Sequence, residues 1–218
     1  MRKVIPEIGE YYHVFNRGVD KRDIFMEEYD LTRFLQSIVE FNVLDPIGSI
    51  YQNRYHKSKR LGSLTPKSPN KTIVDFGCYC LNPNHFHLLL LQKTEDSIQR
   101  FMQRLGTGYT NYFNEKYERS GSLFQGSYKA VHIETNTQLL HTSIYINLNA
   151  EASHVASGKS LSSWSEYISA DIPSLCKKEI VLKQFKNPAP YESFARSSLE
   201  DIIKRKKEEK ELADLLGS

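Results

Sequence analysis

Along the chain, apolar positions alternate in some stretches and recur at helical spacing in others, which predicts a definite order of elements. Tyr11 to Asn16 alternates around Val14 and Phe15 and runs into Arg17-Gly18, predicting a strand and a turn. From Tyr29 to Leu44, the residues Leu31, Phe34, Leu35, Ile38, Val39 and Phe41 recur as on one face of a helix. Ile73 to Leu81 is rich in β-formers and meets Asn82-Pro83-Asn84, a turn signature, before the apolar strand Phe86 to Leu91. These two strands predict a hairpin. Ile98, Phe101, Met102, Leu105, Tyr109, Tyr112 and Phe113 then trace the face of a long helix. Gly121 marks a turn, and Leu123 to Ile133 reads as a further strand. Thr135 or Asn136 caps a last helix reaching to about Ala150.

The order strand, helix, hairpin, helix, strand, helix predicts an α+β fold. It is of the ferredoxin-like (RRM-like) kind, an antiparallel sheet of three or four strands with helices packed on one face. Beyond Ser160 the period fades into short helical pieces around Trp164, Ile168, Leu175, Ile180, Leu182 and Phe185. We therefore expect a domain over 1–155 and a C-terminal extension over 156–218, partly helical with a charged tail. No internal repeat is visible.

Composition narrows the function classes. The 218 residues are 39% hydrophobic and 25% charged, which excludes wholesale disorder. No apolar run approaches the roughly 20 residues of a membrane span, and the N-terminus lacks the apolar stretch of a signal peptide. Three cysteines are too few for a disulfide scaffold, so a cytoplasmic setting is expected. The net charge of +3 permits a nucleic-acid partner without arguing for one. Charge distribution is more telling. Between Pro46 and Val74 lie Arg54, Lys57, Lys59, Arg60, Lys67 and Lys71 with no acidic residue, among prolines, glycines and serines. This basic loop insertion, about 46–72, reads either as a flap that tracks a phosphate backbone or as a solvated insertion. The acidic and basic residues mixed over 196–214 read as an exposed helix.

His85-Phe86-His87 is the sharpest chemical feature. Residues i and i+2 of a strand share a face, so both imidazoles project together and can share a divalent ion. A bare His-x-His also occurs as two idle surface imidazoles, and nothing in their spacing gives the other five histidines (13, 56, 132, 141, 154) a role. On the last helix, Leu140, Ile144 and Leu148 form a seam to bury, and His141, Tyr145 and Asn149 follow one residue later. If that face met the two histidines, a metal, a carboxamide oxygen and a phenol would lie together. A phenol beside a Lewis acid is a plausible nucleophile toward a phosphodiester, although the same tyrosine equally suits a helix–sheet interface. The segment Arg100 to Lys129 interleaves basic residues with aromatics. Its inward aromatics belong to the core, and its outward ones are expected to meet nucleic acid.

Taken in order, these blocks resemble the HUH-type single-tyrosine transposases, in particular the REP-associated branch. The resemblance rests on YYHVFNRGVDKRDIF at 11–25, LNPNHFHLLL at 81–90, GTGYTNYFNEKYERSGSLFQGSYKAVHI at 106–133 and SIYINLNAE at 143–151. It implies that His85, His87 and Asn149 bind Mg²⁺ or Mn²⁺ and that Tyr145 is the catalytic nucleophile. It also implies an activity: cleavage of single-stranded or hairpin DNA through a 5′-phosphotyrosine link, followed by rejoining. Asn16, Arg17, Lys21, Arg22, Arg104 and Lys129 are the expected DNA contacts. The implied setting is the bacterial cytoplasm, nucleoid-associated, as a monomer or homodimer. Two departures stand out: Ala150 replaces the family's usual proline, and Ser127 stands where an arginine is common. The rivals are a replication or mobilisation nickase, a domesticated non-catalytic binder of structured nucleic acid, and a generic scaffold.

Overall fold

The computed structural model describes residues 5–45, 47–50, 72–156, 158–169, 171–172, 174–185 and 188–215. Most of the basic loop read at 46–72 lies outside them. Five strands form one antiparallel sheet: β1 (Tyr11–Arg17), β2 (Val74–Asn82), β3 (His85–Gln92), β4 (Lys129–Ile133) and β5 (Leu161–Ser162), in the spatial order β4-β1-β3-β2-β5. The first four reproduce the expected ferredoxin-like order. The fifth comes from the C-terminal extension, which adds two residues to the free edge of β2.

Helix α1 (Glu28–Phe41) begins with a reciprocal capping box between Glu27 and Asp30, and it stops at Asn42. There the Asn42 carboxamide bonds the backbone of Ile73 and Val74, tying the helix end to the start of β2. That is why the helix ends before Leu44. Helix α2 (Ser97–Lys116) packs beside α1 on the same side of the sheet. Phe34 of α1 touches Phe86 of β3 and Tyr109 of α2 at ring separations of 5.2 and 4.9 Å. Phe101 of α2 meets Phe76 of β2 at 5.4 Å. Fully buried aromatic side chains each remove a large apolar area from water, so this layer is the main core.

The expectation of helices on one face holds for α1 and α2. A third helix, α3 (Asn136–Asn147), covers the opposite face, capped at Thr135 as the sequence predicts. The reason lies in β3. Phe86, Leu88 and Leu90 point to α1 and α2, but His87 and Leu89, pointing the other way, are also buried. A strand buried on both faces needs cover on both. A shift in the β2–β3 register between Phe76 and Cys78 keeps Phe76 facing α2 and turns Cys78 toward Ser143 of α3.

After α3 comes a short turn of helix, α4 (Asn149–Ala152), and outside α3 lies the extension: α5 (Trp164–Ile168), α6 (Glu179–Leu182) and α7 (Pro188–Leu215). Tyr191 of α7, fully buried, meets the Asn147 Nδ2 at 3.0 Å and the Ser143 hydroxyl at 3.3 Å. Because both sides of α3 are covered, Leu139, Ser143, Ile146 and Asn147 are buried along with Ile144 and Leu148. The one-sided seam read from Leu140, Ile144 and Leu148 was too narrow. One other reading changes: regular pairing covers only Lys129–Ile133, not Leu123 onward. Residues 123–128 form an irregular loop that touches β1 through the Gly18–Phe124 bridge and turns at Gly126, whose φ is +69°. Among the described residues no helix is long and apolar enough to cross a membrane.

Candidate functional site

The Pro83-Asn84 turn ends at His85, so β3 begins with its two histidines at the lip of the sheet. Their rings lie 5.1 Å apart, almost perpendicular. Tyr145, from α3, presents its ring edge-on to His87 at 5.6 Å. Asn149, the first residue of α4, is fully buried, and its Oδ1 accepts from Asn82 Nδ2 at 2.8 Å. The same Nδ2 lies 3.0 Å from His85 Nε2. Two imidazoles, the phenol and the carboxamide thus converge within one chain. His141, expected on the same face as Tyr145, turns outward against Phe194 of α7 instead.

Each imidazole is held from behind. His85 Nδ1 lies 2.6 Å from Asn84 Oδ1, an atom that only accepts, so this nitrogen carries the proton and donates. His87 Nδ1 lies 2.9 Å from Nε2 of His13, a β1 residue. His13 stacks on His87 at 5.1 Å and meets the Tyr145 ring at 6.0 Å. Burial pushes the His13 imidazole down to about 4, so it is neutral at pH 7.

Beside the histidines opens a cleft of about 560 Å³, lined by Phe15, Asn16, Arg17, Lys21, Asn84, His85, Phe86, His87, Gln125 and Lys129. Arg17 donates through Nε to the Gln125 Oε1. Lys21 and its neighbour Asp20 both hold left-handed backbone angles, φ +59° and +54°, which cost side-chain-bearing residues about 1–3 kcal/mol each. The Asn84 carboxamide donates to the Lys21 carbonyl at 3.2 Å and so helps hold this turn at the mouth of the cleft.

Of the six expected DNA contacts, Asn16, Arg17, Lys21 and Lys129 line the cleft, and two do not. Arg22 bonds back to Val19 and Asp20. Arg104 gives its guanidinium to the carbonyls of Val43 and Leu44, just past the end of α1. The aromatic–basic segment is likewise partly committed inside the protein. Tyr112, Tyr117 and Lys116 all donate to Asp30, each at 2.7 Å. The residues missed from sequence are His13, Asn82, Asn84 and Gln125. The asparagines were visible only as turn formers around Pro83. His13 did share the alternation of Tyr11, His13 and Phe15, but alternation names a face, not the strand beside it.

The donor set suits a divalent ion. Among the described residues no three His, Cys, Asp or Glu side chains cluster to hold a metal, so Asn149 would have to complete the set. The ligand atom would be its buried Oδ1, which accepts from Asn82; its Nδ2, a donor, has no hydrogen-bond partner and could not meet a cation. Two neutral imidazoles and a carboxamide oxygen would hold such an ion without offsetting its charge.

Two comparisons with known proteins bear on this chain. Residues 51–149 match the family model described as IS200-like transposase, a stretch that contains His85, His87, Tyr145 and Asn149. Among solved structures, the chain is similar to a REP-associated tyrosine transposase bound to a REP hairpin. The TM-score is 0.50 at 10% identity, covering 80% of this chain and 88% of that one. At that identity the likeness is one of fold. No curated protein sequence matches. The two findings agree with the resemblance read from the sequence: the segment that holds the candidate site is similar to the IS200-like transposase family, and the fold is similar to that of a REP-associated tyrosine transposase.

Proposed function

We propose that this protein is a metal-dependent single-strand DNA endonuclease and strand transferase acting on hairpin or single-stranded DNA. The observation that carries the reading is the meeting of Tyr145 with His87, and of Asn149 with His85 through Asn82, inside the matched segment. The catalytic unit is the domain over 1–155, and the extension 156–218 braces the helix that bears the tyrosine. The hairpin on the structural relative favours structured DNA as substrate. The setting is the cytoplasm, at the nucleoid, in keeping with three buried cysteines that form no disulfide.

Arg17, Lys21 and Lys129 neutralise phosphates on either side of the scissile one and draw the strand into the cleft. His85, His87 and Asn149 would hold Mg²⁺ or Mn²⁺, which would supply positive charge against the developing charge on the phosphate. Tyr145 Oη attacks phosphorus in line. The Oη–P bond forms as the P–O3′ bond breaks, leaving the 5′-phosphate on the tyrosine. The phenol proton passes to solvent, and the departing 3′ oxygen takes one up to become a hydroxyl. Attack by another 3′-hydroxyl reverses these bonds and rejoins the strand. The ester conserves the phosphodiester energy, so no nucleotide cofactor is required.

The test uses labelled hairpin and single-stranded oligonucleotides drawn from repeats flanking the gene, with Mn²⁺, Mg²⁺ or EDTA. A denaturation-resistant protein–DNA adduct is expected with either metal, and none with EDTA or in Tyr145→Phe. Tight, salt-sensitive binding without any adduct would replace this reading with the non-catalytic binder.

A further inference from the structure

A hydrogen bond between two ring nitrogens contains one proton, and its position decides what each ring can do. His13 Nε2 and His87 Nδ1 make such a bond at 2.9 Å. If the proton rests on His13, then His87 is protonated at Nε2 instead, and that nitrogen has no lone pair to give. If it rests on His87 Nδ1, the lone pair of His87 is on Nε2.

His85 shows which arrangement the site is built for. Its Nδ1 donates to Asn84 Oδ1, and its Nε2 faces the Asn82–Asn149 carboxamide pair. The ring is thus fixed with its lone pair on Nε2, which accepts from Asn82 Nδ2 beside the Asn149 oxygen that the proposed ion would use. We infer that His13 does for His87 what Asn84 does for His85: it is a positioning residue that accepts the Nδ1 proton and sets His87 as an Nε2 donor. The inference rests on the proposed role of the two histidines, and it assigns His13 no contact with substrate.

The placement depends on the sheet. In the β1–β3 register His13 stands opposite Leu89 and Phe15 opposite His87, so the two imidazoles meet on the diagonal, on the face covered by α3. Side chains two residues apart on neighbouring strands are within reach of such a contact. The His13 and His87 planes lie 29° apart and both rings meet Tyr145 edge-on, so the stack also fixes the ring angle of His87 toward the tyrosine. Partners that fix a ligand's tautomer typically contribute about 10- to 100-fold in metal affinity.

Two variants separate this role from simple packing. His13→Phe keeps an aromatic ring but offers no acceptor, and His13→Gln keeps an acceptor oxygen. The first readout is the tautomer of His87 in the metal-free full-length protein, from long-range ¹H–¹⁵N correlations of the ring. The wild type and His13→Gln are expected in the Nδ1–H form, and His13→Phe in a form enriched in Nε2–H. The second readout is Mn²⁺ affinity from the free-ion paramagnetic resonance signal. His13→Phe is expected to bind about 10- to 100-fold more weakly, and His13→Gln to recover most of that loss. Nε2–H in wild-type His87 would overturn the inference, as would unchanged Mn²⁺ affinity in a folded His13→Phe. Failure of the wild type to bind Mn²⁺ while His87 shows Nδ1–H would instead count against the proposed metal chemistry and leave the positioning role standing.

Discussion

At the scale of single residues, buried polar groups are found where several partners converge on them. Asp30 is the clearest case outside the site. Burial pushes its carboxyl pKa up, but hydrogen bonds from Lys116, Tyr117, Tyr112 and the Met26 N–H together hold it below the ordinary value. A depressed folded-state pKa means that the unfolded chain takes up the proton first as pH falls. The stability it contributes is therefore complete above the unfolded value near 3.9 and is lost as pH falls toward the folded one. Asp30→Asn is expected to cost about 2–3 kcal/mol at pH 7, because it leaves Lys116 without its buried partner. It should also flatten the loss of stability below about pH 4. Urea unfolding across pH 2–7 checks both. Lys116, Tyr112 and Tyr117 looked like a basic, aromatic surface in the sequence; the acceptor that claims them lies more than 80 residues away.

At the scale of elements, α2 provides an internal comparison. A Cβ placed at Gly108 would lie 2.5 Å from two ring atoms of Phe41 of α1. A Cβ at Gly106 meets nothing within 4 Å. Gly108→Ala should therefore destabilise by about 1–3 kcal/mol through overpacking. Gly106→Ala should stabilise by roughly 0.5–1 kcal/mol, as expected for relieving a glycine within a helix. Chemical denaturation of the two variants should give shifts of opposite sign. The sequence marks both glycines alike inside one helical period; only the neighbouring helix tells them apart. The same holds for α3. Its cap at Thr135 and its Tyr145–Asn149 spacing were legible locally, but its burial on two sides depended on an extension whose own pattern had faded.

For the molecule as a whole, charge placement matters more than total charge. Four of the expected contacts surround the cleft, and Arg104 is held by carbonyls beyond the end of α1. Replacing Lys129 or Arg17 by alanine is expected to weaken hairpin binding and to lower the slope of log affinity against log salt by about 0.7–0.9 each. Arg104→Ala should leave that slope unchanged while lowering thermal stability. Fluorescence anisotropy over a salt series, with a melting curve for each variant, makes the distinction.

By itself, the sequence determined the order of elements, the α+β sheet, the paired histidines of one strand face and the tyrosine four residues before an asparagine. All of these are properties of neighbours along the chain, where backbone periodicity dictates which side chains share a face. Beyond the β2–β3 hairpin, tertiary structure alone decided which strands lie side by side, and with that which polar groups complete the site. His13 is 74 residues from the histidine it touches. Nothing in its own surroundings marks it, because its role is created by the pairing of β1 with β3, and that pairing is settled by burying both faces of the sheet at once.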